Sequence, residues 1–312
     1  MKPKDIYFKT MKFVWLKLAV KVAVLLFSIL LFALILWIGS LISGDSMVIL
    51  GLLWLGVSLG VYGFVQRYFG YMIKAAHVAV ITEAVTSGRI PENQFQWGKD
   101  KVKRRFGTVN VYFVIDRLVS GAVSQLQRVV GKVGDLLSSI PGMNFITNII
   151  QLFISVAFGS IDECCLGWVF YKTDNGAFQS SCDGVCLYFQ NIKKLLKDAV
   201  KTTLIIIIAL VIAWVIPFVI CLAIVKALEL GGIGTFFAII VALFIASAIK
   251  SAFIDSYMLI AMMTSYMKEA PNTEIRFDLY GKLCKMSSKF KKLFTKAQAE
   301  VAPHSVNSYS TV

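Results

Sequence analysis

The chain has 312 residues, 57% of them hydrophobic, and a mean hydropathy of +0.73. A water-soluble domain of this length does not carry such an apolar load without runs that cross lipid, so the composition predicts an all-α, polytopic integral membrane bundle. A net charge of +14 in such a chain reflects cytoplasmic loops and anionic lipid rather than nucleic acid, since no DNA- or RNA-binding signature accompanies it.

The basic, aromatic start "MKPKDIYFKTMKFVWLKLAVK" leads into "VAVLLFSILLFALILWIGSLI", about 20 residues and long enough to cross a ~30 Å hydrocarbon core. This first run is too long for a signal-peptide core and lacks a clear cleavage site. After a short turn, "MVILGLLWLGVSLGVYGFV" predicts a second crossing, in which Gly56 and Gly60 form a small-xxx-small pair suited to close helix approach. The same residues match GxSxG, but Ser58 falls inside an apolar helix and not at a strand-to-helix turn, so the match is read as chance. From Arg67 to Arg89 the pattern reads as amphipathic, with His77 a packing or interface residue. A polar loop follows with five Lys or Arg between 99 and 105.

The stretch from 107 to 140 is apolar on one side and carries Asp116, Arg117, Arg128, Lys132 and Asp135, which reads as an amphipathic helix lying on the membrane. After a break at Pro141–Gly142, residues 145–159 form an apolar run short for a full crossing and suited to a re-entrant or buried helix. Residues 107–171 therefore cross an even number of times or re-enter. Four lysines then lead into "LIIIIALVIAWVIPFVICLAIV", a third crossing that contains Pro217, which a lipid-embedded helix tolerates. The last long run, "FFAIIVALFIASAIKSAFIDSYMLIAMMTSYM", is interrupted by Lys250 and Asp255. This gives four crossings plus membrane-embedded or amphipathic middle helices, in four segments: 1–89, 90–202, 203–268 and 269–312. Lys and Arg concentrate at both termini and in the middle, so both termini are expected to be cytoplasmic, in the plasma membrane, with the two hairpin turns outside.

Four of the six cysteines, Cys164, Cys165, Cys182 and Cys186, fall between 160 and 189. On this topology they face a reducing compartment, which argues against a disulfide knot. The spacing CC…CxxxC fits zinc poorly, and no metal or cofactor is expected. Palmitoylation and packing as small hydrophobes both stand, with packing preferred. No HExxH, Walker loop or CxxC occurs, so no enzyme is expected.

Charges within a membrane helix face a cavity, a partner or the interface. Counted from Phe236, the last run reaches Ile249 after only about 14 residues, or ~21 Å, which would leave Lys250 or Asp255 within the bilayer. Either they line a pathway or they sit at the interface.

The stretches "FGTVNVYFVIDRLVSGAVSQLQRVV", "ECCLGWVFYK", "CLYFQNIKKLLKDAVKT" and "FIDSYMLIAMM" resemble the C-terminal half of choline transporter-like proteins. Gln125 with Arg128, Cys164 with Cys165, residues 191–199, and Asp255 with Ser256 are the matching positions. The acidic pair that follows the family's last motif is missing here, and the helix at 107–130 carries more charge. The resemblance implies transport of a small organic cation such as choline or ethanolamine, with Asp255, Tyr257 and Trp214 contacting the cation and Lys250 a nearby counter-charge. An oligomeric channel and a non-transporting scaffold or regulator are the rivals. Membrane lipid, including anionic lipid, and a homo-oligomer are the expected partners. The tail, with Leu283, Met286, Phe290, Leu293 and Phe294 on one side and lysines on the rest, is expected to form one interfacial helix, with oligomerisation or intramolecular docking by the same stripe as the alternative.

Overall fold

A computed structural model describes residues 1–40, 47–107, 109–138, 159–227, 229 and 231–306. Their regular structure is helical throughout, with no strand among the described residues. The helices are α1 (Pro3–Lys9), α2 (Met11–Ser40), α3 (Met47–Val65), α4 (Tyr71–Thr86), α5 (Gln94–Phe106), α6 (Val109–Ser138), α7 (Ile161–Tyr171), α8 (Ala177–Ala227), α9 (Gly231–Ile249), α10 (Asp255–Glu269), α11 (Phe277–Met286) and α12 (Ser288–Val306). Five-residue π-helical segments, Gln66–Gly70 and Lys250–Ile254, join α3 to α4 and α9 to α10.

Four stretches are long and apolar enough to cross a membrane: Met11–Gly39, Ile49–Thr86, Ile205–Ala227 and Ala238–Asn272. The bent pair Gln94–Phe106 and Val111–Arg128, which turns by 86°, would make a fifth if it is a single broken span. The re-entrant segment expected at 145–159 lies, apart from its last residue, outside the described residues.

The chain divides into two compact units. The first comprises Met1–Thr10, Ala75–Val211 and Asp255–Val312; the second comprises Met11–Lys74 and Ile212–Ile254. These boundaries differ from the four segments expected at 89/90, 202/203 and 268/269. The reason is packing: α4 and α10 follow directly from membrane-length helices in sequence, yet their side chains are buried within the first unit.

The first unit has an interior like that of a water-soluble protein. α4 reads as amphipathic in sequence, but Ala75, Ala76, Val78, Val80, Ile81 and Ala84 are all buried. Buried His77 pairs through Nε2 with Thr10 Oγ1 at 3.2 Å, and Gln94 donates to the Lys9 carbonyl at 2.8 Å, so both tie the N-terminal turn to this core. The apolar stripe of α6 is also covered by protein: Tyr112, Ile115, Val119, Ala122 and Leu126 are buried, and α6 packs against α5, α7, α11 and α12. Neither α6 nor the tail is free to lie on a membrane by that stripe. The tail forms two helices, not one, and its stripe is used for intramolecular docking: Leu283, Phe290, Leu293 and Ala297 are buried, while Met286 stays exposed.

The second unit is organised the other way round. α2 and α3 pair antiparallel, fixed by Ser28 Oγ donating to Ser58 Oγ at 2.9 Å, Trp54 Nε1 donating to the Ser28 carbonyl at 2.9 Å, and the Phe32 and Trp54 rings 4.8 Å apart. Large apolar side chains point outward, among them Leu30, Leu52, Val219 and Ile220. Apolar surface on this scale needs lipid or a partner to cover it.

Candidate functional site

The cysteines lie where α7 crosses α8. Cys164, Cys165, Cys182 and Cys186 are buried and unbridged. Gly184 permits the crossing, because a Cβ there would stand 3.0 Å from the Cys165 Cα. Burial, the largest cause, pushes all four thiols well up from their ordinary range, and neighbouring acidic groups add to it. A thiol held protonated and out of solvent is a poor nucleophile and a poor acceptor for an acyl chain. No group of three His, Cys, Asp or Glu among the described residues is placed to hold a metal ion.

A polar network surrounds this core. Arg105 donates from Nε to the Val169 carbonyl (2.8 Å), and from one terminal nitrogen to the Lys172 and Asn175 carbonyls (3.0 and 2.8 Å) and Ser180 Oγ (3.0 Å). One guanidinium thus serves the carbonyls that the end of α7 leaves without intrahelical partners. Glu300, from α12, accepts from the backbone N–H of Ala177 and Phe178, each at 3.1 Å, and so caps the start of α8. Asp183 accepts from Tyr280 Oη at 2.7 Å and Gln179 Nε2 at 2.6 Å. Burial raises its carboxyl above the usual range, and these hydrogen bonds oppose the shift without reversing it. Gln125 Oε1 accepts from Ser287 Oγ at 2.6 Å and Lys289 N at 3.1 Å, which fixes the break between α11 and α12.

A cleft of about 140 Å³ opens in the same unit, lined by Thr82, Glu83, Thr86, Lys101, Phe170 and Tyr171 among others. It has room for a few water-sized groups, well short of the ~300 Å³ at which small-molecule pockets begin. The Thr82 and Thr86 hydroxyls are bonded back to the Val78 and Thr82 carbonyls.

The residues expected to meet a cation are spread over different elements. Asp255 opens α10, and Tyr257, two positions on, packs edge-to-face on Tyr7 with centroids 5.5 Å apart. At 3.6 residues per turn the two side chains leave α10 roughly 200° apart. Trp214 is 38% exposed on α8. Lys250 begins the second π segment. Because α9 starts at Gly231, it has 19 residues before Lys250, a rise of ~28 Å. The candidate membrane stretch Ala238–Asn272 runs on through Lys250 and Asp255.

Sequence reasoning missed a correspondence between the two hairpins. α3 has 19 residues, followed by a five-residue π segment and then the 16-residue α4; α9 has 19, followed by a five-residue π segment and then the 15-residue α10. Both π segments pack against α2. At the second, Lys21 Nζ donates to Ser251 Oγ, and Trp15 meets Phe253 edge-on at 5.4 Å. Interruptions of this kind recur at functional sites in helical proteins. A five-residue change of winding has no signature in hydropathy; only the equal lengths on either side could have suggested it. No family model matches the chain, and no curated protein or solved structure matches it either.

Proposed function

We propose that this is a multi-pass membrane transport protein in which two equivalent hairpin arms flank the path of a small solute. The observation that supports this reading is the repeated interruption: a 19-residue, largely apolar helix, a π segment and a second helix rich in buried residues, in corresponding positions of both arms. Interrupted helices at equivalent positions of two repeats are the usual pointer to a transporter's binding region. Both hairpins enter from the same side on the charge pattern, so the repeat is parallel, with both termini at the cytoplasmic face of the plasma membrane. A small organic cation such as choline or ethanolamine is the substrate class, supported by the resemblance to choline transporter-like proteins and by Asp255 immediately after the second interruption. Uptake of labelled choline and ethanolamine by proteoliposomes tests it. Asp255→Asn should abolish uptake without changing expression or particle size. Unchanged uptake by that variant removes Asp255 from the path, and no uptake of either amine by the native protein ends the cation reading.

A second reading, a homo-oligomeric channel, is favoured by the open face of α3. A Cβ added at Gly56, Gly60 or Gly63 would meet nothing within 4 Å, which leaves a small-residue face suited to another copy. The mass of the particle in nanodiscs separates a monomer from a ring.

A further inference from the structure

We infer that the cleft between α4, α5 and the end of α7 binds a small zwitterion, an amino acid of about the size of glycine, with its ammonium on Glu83 and its carboxylate on Lys101. Helix packing makes the space. α4 and α5 touch where Gly98 lies against Ala76: a Cβ on Gly98 would stand 2.6 Å from the Ala76 carbonyl oxygen. One turn further along each helix, the short side chain of Ala79 and the long one of Lys101 line the cleft. Ala79, Thr82, Glu83 and Thr86 line it at i, i+3, i+4 and i+7 of α4, which is one helix face. Phe170 and Tyr171 bound it at the end of α7. Arg105, one turn after Lys101 on α5, holds the carbonyls of Val169, Lys172 and Asn175. The α7 wall is thereby fixed to α5 without any ligand.

The lining complements a zwitterion. Glu83 and Lys101 are half-buried and opposite in charge, and they share this cleft. Yet neither forms an ion pair, with the other or with any other of the described residues. Lys101 rests over the Trp97 ring at 5.6 Å, a contact with a ring face that leaves N–H donors for a carboxylate. The Thr82 and Thr86 hydroxyls spend their protons on the Val78 and Thr82 carbonyls, each at 2.8 Å. Beside Glu83 they therefore offer oxygen lone pairs, which accept from an ammonium and not from a carboxylate. Size sets the limit: at about 140 Å³ the cleft is close to the ~150 Å³ cavity that admits a benzene ring, room for about six non-hydrogen atoms. Choline has no N–H donor and no anionic end, so this ligand class is distinct from the cation of the transport reading. Every residue named here belongs to the first unit.

The test uses the full chain, purified in neutral detergent and titrated with glycine, with binding read by saturation-transfer NMR. Glycine should bind saturably. Acetate and methylamine, which each carry one end of it, should bind at least about tenfold more weakly. Phenylalanine, too large for the cleft, should not displace glycine. Glu83→Gln and Lys101→Met should each weaken glycine binding about tenfold or more, the effect of losing one charge-assisted hydrogen bond. Thr86→Val should weaken it about threefold, the effect of one neutral acceptor. Thr86 is exposed, so its variant decides the matter if a charge variant fails to fold. Lys103→Met, on the exposed side of α5, should change nothing. Acetate or methylamine binding as tightly as glycine, displacement by phenylalanine, or indifference to Glu83→Gln or Lys101→Met would overturn the site. So would the absence of saturable glycine binding by the native chain, which would mean that the cleft holds water alone.

Discussion

The two units solve opposite problems with the same element. The first buries its apolar side chains and answers its helix ends with side chains brought from far along the sequence: Arg105 at α7, Glu300 at α8 and Gln125 at α12. The second leaves Leu, Ile and Val facing outward, and its polar contacts include the hydroxyl pair of Ser28 with Ser58 and the Trp54 indole on the Ser28 carbonyl. The difference shows where specificity is stored. In the first unit it lies in packing and polar satisfaction, so single substitutions there are costly. In the second it lies in helix length and the level at which charges stop, so single apolar substitutions are tolerated.

The widest test of that contrast places the same substitution in both units. In Gly98→Leu the new Cβ would stand 2.6 Å from the Ala76 carbonyl oxygen, a backbone atom that cannot swing aside. Gly60→Leu meets open space. Thermal unfolding of the detergent-purified chain should show about 3 kcal/mol or more lost for the first, at the upper end of overpacking costs, and under about 0.5 kcal/mol for the second. Comparable losses for both would mean that the open face of α3 is covered by another copy. Next is Arg105→Met, which strips three carbonyls and a hydroxyl of their shared donor. A loss of about 2–3 kcal/mol is expected, with amide exchange rising first around residues 169–176.

Glu300→Ala removes the cap of α8, at about 1–2 kcal/mol. Faster exchange at Ala177 to Gln179 should appear without change at α3. The smallest effect has the opposite sign. Asp183 has its pKa raised on folding, so the native state holds its proton more tightly than the unfolded chain does. Its contribution to stability is therefore present below the ordinary Asp pKa and is lost as pH rises through the raised value. Asp183→Asn keeps an acceptor for Tyr280 and Gln179 without the buried charge. It should leave the melting temperature equal or slightly higher at neutral pH and flatten its dependence on pH above about 4. A clear loss of stability would show that the charge itself is needed.

The apolar helices were legible in the sequence because some 20 successive apolar residues admit few other readings. Their ends were less so. The Gly-rich stretch after Glu229 looks like a turn, yet among its described residues only Glu229 and Gly231 adopt positive φ, at 52° and 64°, and α9 begins at once. The tail read as one helix because its apolar spacing runs unbroken from Leu283 to Phe294; the break at Ser287 is set by Gln125, more than 160 residues away. The same distance hid the other anchors. Arg105 was one of five cations in a basic loop, and Glu300 one acid in a basic tail; only the fold gives each its partners. α4 looked amphipathic because Lys74, His77 and Glu83 interrupt it, whereas its surroundings bury most of its residues, His77 included.

The first unit is assembled from three separate stretches, and its last contribution, α12, closes over the stripe of α6. During synthesis, Leu126 is made some 170 residues before Leu293, which covers the same helix face. At ~5–20 residues per second, that stripe waits roughly 10–30 s for its cover. Over that interval the second apolar hairpin is made, the first having been completed before it, while the cysteine core stands open. The nascent chain is therefore most exposed to aggregation and thiol oxidation in a window that ends only when the tail docks.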